Sequence, residues 1–154
     1  MENKDIEKAR HTLERIEELE FDIDVLRRRV EKSRRQLFYS GVSENIVSRY
    51  GLGGRGSGTK VQEWNAINIQ KYLDLSKVLS QKEIEREEII DLIDKVPGRS
   101  KKWLYDKYVD HYTLEMIRAK IGNGRSMSRS TAYREINKAI AKFAKVMMEQ
   151  KETS

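Results

Sequence analysis

The chain has 154 residues, 36% charged against 38% hydrophobic, too few apolar side chains for one ordinary globular core, so an elongated helical protein is expected. It contains no cysteine, which excludes disulfides and thiolate metal sites and suits a reducing cytosol, while the lack of a signal peptide or of any apolar run near the roughly 20 residues that span a bilayer predicts a cytoplasmic protein without a membrane partner. The net charge of +6 is unevenly placed: 1–40 holds 10 basic and 10 acidic residues, 41–97 holds 8 and 9, and 98–146 holds 12 and 4, so the excess sits in the C-terminal third.

One proline, Pro97, and many Glu, Lys, Arg, Leu and Ile residues predict an all-α fold beginning with two long helices. In the first, within 1–40, Ala9, Ile16, Ile23, Val30 and Leu37 recur every seven residues, and Leu19 and Leu26 each follow an isoleucine by three. With Ile16, Ile23 and Val30 at a and Leu19 and Leu26 at d, the pattern favours a parallel two-stranded coil, and these five form the candidate homodimer seam. The same stripe suits packing on the chain's own second helix, so coiled coil and helical hairpin both stand at this point.

Segment 41–60 is expected to be a linker, because 51–58 packs five glycines into eight residues. It lacks the Gly-Lys-Ser/Thr ending and the preceding buried strand of a phosphate cradle. The second long helix, 61–97, carries Val61, Trp64, Tyr72, Leu75, Val78, Leu79, Ile89, Leu92, Ile93 and Val96, interrupted by the charged stretch 81–88, and is stopped by Pro97-Gly98. A rod of roughly 50 Å needs a partner, either the first helix or a second subunit.

Residues 98–146 follow a helix-turn-helix pattern, and 147–154 form a tail. A helix over 99–110 turns Trp103, Leu104, Tyr108 and Val109 inward, His111-Tyr112 turns the chain, and Thr113 caps a helix over 114–121 that Gly122 ends. Ser128 caps a third helix whose Ala132, Ile136, Ala139 and Ile140 point inward. A basic excess on such a pattern points to double-stranded DNA, with the first turn of the third helix in the major groove. Arg129, Ser130, Thr131, Tyr133 and Arg134 are the candidate base contacts, Arg134 and Ser130 foremost, because arginine bonds two guanine acceptors at once and serine reads either partner. Lys101, Lys102, Arg125, Ser128, Lys138 and Lys142 are the candidate phosphate contacts, which position without reading sequence.

The stretch 104–117, from Leu104-Tyr105-Asp106-Lys107-Tyr108 to Leu114-Glu115-Met116-Ile117, resembles the first half of region 4 of sigma factors, especially in the ArpU-type phage late-gene transcription regulators. Ser128-Arg129, Tyr133-Arg134 and Lys138-Ala139-Ile140 stand where that family has a Ser-Arg start, a Tyr-Arg pair and a Lys-Ala-Leu run, and the glycine-serine loop with the helix ending Glu88-Ile89-Ile90-Asp91-Leu92-Ile93-Asp94 is similar as well. The resemblance covers roughly 54–143 and implies a phage or prophage regulator in a bacterial host cell, an activator of late genes, with RNA polymerase as a second candidate partner. The chain departs from the family at 123–127, where one residue usually separates the glycine from the capping serine. The longer turn predicts a re-aimed recognition helix or an arm bearing Arg125.

Two other functions fit the same pattern: a small terminase subunit that recognises packaging-site DNA as a ring, and a sigma-like adaptor that touches only polymerase or another regulator. Catalysis is not expected, since the chain offers only His11 and His111, neither with a metal partner at ligand spacing, no cysteine, and acids scattered along solvent faces, and neither a cofactor nor a metal is predicted.

Overall fold

The computed structural model describes residues 2–39, 60–121 and 127–153, and among these every regular element is helical. Helix α1 spans Asn3–Tyr39 and α2 Lys60–Asp94. A short α3, Arg99–Leu104, widens into a π turn, Tyr105–Val109, and is followed by α4, Leu114–Ile121, and α5, Arg129–Thr153. The expected linker 41–60 lies outside the described residues apart from Lys60, as do Gly122, Arg125 and the side chains of Val61, Trp64 and Ile121.

The chain divides into two compact units that cut across the expected domains: Met1–Glu20 with Glu85–Ser154, and Phe21–Ile84. The first twenty residues therefore belong with the C-terminal helices rather than to a separate coiled-coil domain. Ala9, Leu13, Ile16 and Leu19 are fully buried in that unit. The last helix continues through the expected tail as far as Thr153, which brings its end to α1 and the turn after α2. There the nearby Lys151 amine lowers the Lys8 ammonium, since two charges so close disfavour each other, and Lys95 Nζ donates to Gln150 Oε1 at 2.7 Å.

Within this unit Ile89, Ile93, Val96, Trp103, Leu104, Tyr108, Ile117, Ala132, Ile136, Ala139, Ile140, Phe143 and Ala144 are buried, on the helical spacing the sequence displays. Both α3 and α4 pack on α5, and α4 also touches the π turn. Breaking after Asp94 is accomplished by Pro97 and Gly98, the latter at φ +70°, a conformation glycine adopts without a Cβ clash. The π turn closes with Asp110 N donating to the Tyr105 carbonyl at 2.8 Å, five residues back. His111 follows at φ +56°, unusual for a residue with a Cβ, and its Nε2 meets Glu20 Oε2. Glu20 Oε1 also takes Arg86 Nη2 at 3.0 Å, so one carboxylate ties α1, α2 and this turn together.

In the second unit α1 and α2 run antiparallel. Asp22 pairs with Lys82 at 3.6 Å and Arg27 with Glu83 at 3.7 Å, while Leu37, far along α1, packs with Ile69, Tyr72 and Leu73, early in α2. Of the two arrangements the heptads permit, the chain takes the hairpin. Ile16 and Leu19 are fully buried in the first unit; in the second, Ile23 is buried and Leu26 and Val30 are half-buried. The proposed intermolecular seam is thus largely covered within a single chain. No helix among the described residues is long and apolar enough to cross a membrane.

Candidate nucleic-acid interface

The amino end of α5 is built by local chemistry. Ser128 lies just before the helix, and its Oγ accepts from Thr131 N at 3.1 Å, satisfying an amide that has no partner inside the helix. Thr113 does the same for α4, accepting from Met116 N at 3.3 Å. Both caps are the residues expected from the sequence.

Arg134, Lys138, Ala141 and Lys145 fall at helical spacing along one face of α5, opposite Ala132, Ile136, Ala139 and Phe143 in the core. Eleven residues separate the first and last of these cations, a ridge of about 16 Å. Lys138 lies 3.6 Å from Glu135, while Arg134, Lys142 and Lys145 are exposed with no ion-pair partner among the described residues. Ser130 and Asn137 flank Arg134 on the same face, and Tyr133, 55% exposed, borders it.

The long helices handle charge differently. Their arginines are largely matched to carboxylates: Arg10 with Glu7, Arg15 with Glu18 and Glu85, Arg28 with Asp24, Arg34 and Arg35 with Glu31, Arg86 with Glu20 and Glu87. Hydrogen bonds from Glu85 and Glu18 raise Arg15 above its ordinary pKa, and Arg34, then Arg35, lower Glu31. On α3, Arg99, Lys101 and Lys102 also lack ion-pair partners among the described residues; Lys4, Arg29, Lys32, Lys71 and Lys77 on the long helices do too, but they stand among as many acids as bases, whereas 98–146 holds 12 basic residues to 4 acidic, so the net positive charge lies with α3 to α5.

The eleven candidate contacts do not all share one surface role. Ser130, Tyr133, Arg134, Lys138 and Lys142 are exposed on α5, and Lys102 is exposed and Lys101 half-buried on α3. Ser128 and Thr131 are engaged in the cap, with Ser128 Oγ also donating to Thr131 Oγ1 at 2.8 Å. Arg125 lies outside the described residues. Arg129 is drawn back to α4, where its Nη2 and Nε lie 2.9 and 3.0 Å from Glu115 Oε1.

Sequence reasoning missed Glu115, Arg118 and Asn137. Arg118 Nη1 bonds Glu115 Oε2 at 2.8 Å, and its Nε donates to the Met127 carbonyl at 2.6 Å, anchoring the chain just before the cap of α5. The first of these is an i, i+3 pair legible on a helix, whereas the bridge from Glu115 to Arg129 crosses fourteen residues with no periodic signal.

On α4, Lys120 Nζ donates to the buried Asp106 Oδ1 at 2.9 Å, which raises Lys120, and the same ammonium stands 5.0 Å from the Tyr112 ring centroid. On the other side of the π turn, a recess of about 230 Å³ is lined by Arg10, Glu14, Glu17, Lys107, Tyr108 and His111. Burial lowers the Lys107 ammonium there and pushes the Tyr108 phenol up to about 12. Among the described residues no group of three His, Asp or Glu side chains gathers to hold a metal.

Comparison of the chain with models of known protein families, with curated proteins and with solved structures finds no match.

Proposed function

We propose that α4 and α5 act as a helix-turn-helix, with α3 in support, and that the protein binds double-stranded DNA in a sequence-specific manner as a phage or prophage transcription regulator of the ArpU type, an activator of late genes. The observation that carries this reading is the ridge Arg134–Lys138–Lys145 with Lys142, cationic and exposed on a helix whose opposite face is core, while the arginines of α1 and α2 are largely neutralised by carboxylates among the described residues. The ridge length of about 16 Å is that of a helix segment lying along a groove. Ser130, Tyr133 and Arg134 are placed for base edges and Lys138, Lys142, Lys101 and Lys102 for phosphates. The sigma region-4-like residues of 104–117 and 128–140 support the same reading and make RNA polymerase a candidate second partner.

Use of two half-sites calls for a homodimer. With Ile16, Leu19 and Ile23 covered within the chain, such a dimer employs outward faces of the long helices, and the mass of the protein in solution reports it.

The test is a gel shift with phage late-promoter DNA across a salt series. Binding weakens steeply with salt, and Arg134→Ala lowers affinity for the preferred site roughly tenfold or more, the loss of a bidentate base contact. Unchanged binding by that variant removes the proposed contact, and absence of DNA binding even at low salt removes the reading itself.

A further inference from the structure

We infer that Glu115 is a positioning residue for duplex recognition: it holds Arg129 off the bases and, through Arg118, fixes the aim of α5, leaving base selection to Ser130, Tyr133, Arg134 and Asn137. This rests on the DNA-binding function proposed above and assigns the parts within that site.

The geometry begins with the helix itself. Arg129 precedes Arg134 by five residues, which at 3.6 residues per turn points it about 140° away around the axis. Ser130 and Asn137 stand within about 60° of Arg134 on the same count. Arg129, its side chain 70% exposed, is thus the member of the expected reading set that leans towards α4, and there it meets a carboxylate. Both of its bonding nitrogens converge on Glu115 Oε1, at 2.9 and 3.0 Å.

Glu115 does more than neutralise it. Oε2 of the same carboxylate takes Arg118 Nη1 at 2.8 Å, and Arg118 Nε holds the Met127 carbonyl at 2.6 Å. Three links therefore join the first two turns of α4 to the residues on either side of Ser128, across the turn that is longer here than in the family the sequence resembles. Because the carboxylate cancels one guanidinium, Arg129 adds little attraction for phosphate while it is so held. Asn137, by contrast, is exposed with no side-chain partner among the described residues. Its amide presents an N–H donor beside a carbonyl acceptor, the pair that matches the adenine edge in the major groove, next to an arginine suited to guanine.

The experiment uses the full chain, a duplex enriched from a random pool by the wild type, and a scrambled duplex of equal length, each titrated over a salt series. In Glu115→Ala the freed Arg129 meets phosphate: affinity for the scrambled duplex rises about threefold to tenfold and the log–log salt slope steepens by about 0.9. Preference for the enriched site falls roughly tenfold as α5 loses its fixed aim. Adding Arg129→Ala to Glu115→Ala removes the gain on the scrambled duplex and returns the salt slope to the wild-type value. Asn137→Ala loses discrimination at an A·T position without changing the salt slope.

Equal weakening of Glu115→Ala on both duplexes with preference intact, a double variant that keeps the gain on the scrambled duplex, or a loss of preference that only tracks a lowered melting point each overturns the assignment. A wild type that binds with preference while Glu115→Ala keeps it removes this inference alone. A wild type with no salt-sensitive binding to any duplex removes the DNA-binding proposal and this inference with it.

Discussion

Asp106, 2% exposed in the π turn, accepts a hydrogen bond from Lys120 on α4 through Oδ1, while its Oδ2 is buried without a hydrogen-bond partner among the described residues. The arrangement predicts an asymmetry. Removing the more exposed partner, Lys120→Met, strands a desolvated carboxylate and lowers the melting temperature by roughly 5 °C or more. Asp106→Leu removes the desolvated group altogether and costs less, and the double variant recovers most of the loss. Thermal melts of the three variants followed by circular dichroism decide it: an Asp106→Leu protein less stable than Lys120→Met contradicts the account.

Alkaline pH should weaken the fold through two tyrosines. The Tyr105 phenol is pushed up to about 12, first by its hydrogen bond to Asp94, and Tyr108 to about 12, first by burial. Both hold their protons more tightly folded than unfolded, so their contribution is complete below pH 10 and is lost as pH rises from 10 towards 12. Stability measured at pH 9, 10 and 11 declines over that window, and the double variant Tyr105→Phe, Tyr108→Phe flattens the decline. An equal slope in the variant assigns the loss to other groups.

The first twenty residues are predicted to fold with the C-terminal helices. Leu13 and Phe143 are both fully buried in the unit formed by Met1–Glu20 and Glu85–Ser154. Leu13→Ala then destabilises that unit by about 2–5 kcal/mol, comparable to the 3–5 kcal/mol of Phe143→Ala. Hydrogen exchange resolves the effect by region: loss of protection throughout α5 in Leu13→Ala is the expected result, and protection unchanged there contradicts the shared core.

The Ser76 Oγ is buried on α2 with no hydrogen-bond partner among the described residues. Ser76→Ala relieves that orphaned hydroxyl and improves helix propensity, so denaturant unfolding should show no loss and up to about 1 kcal/mol of gain. A clear destabilisation means that the hydroxyl is bonded in solution.

The cap at Ser128 links stability to binding. Ser128→Ala removes the acceptor for Thr131 N and lowers stability by about 1 kcal/mol. Ser128→Asp keeps the acceptor, restores stability and, under the proposed function, weakens DNA binding by setting a negative charge against phosphate. Melts and gel shifts on the two variants separate these effects.

The local rules of the chain were legible without coordinates. Thr113 and Ser128 announce helix starts because a short side-chain oxygen reaches the free amides of the next turn, and Pro97-Gly98 announces a stop because it removes a donor and permits positive φ. Ala132, Ile136, Ala139 and Ile140 announce an inward face because 3.6-residue spacing aligns them. These signals lie within a few residues of what they determine. The heptads of α1 state that a stripe must be covered but not by what, and only the packed structure places Ile23 and Leu37 within the hairpin and Ala9, Leu13, Ile16 and Leu19 within the C-terminal unit. Basic residues likewise advertise charge without showing which of them is already matched. That Arg134 stays open while Arg129 is bound to Glu115 follows from the meeting of two helices, a distance relation between residues far apart in the chain that no local pattern encodes.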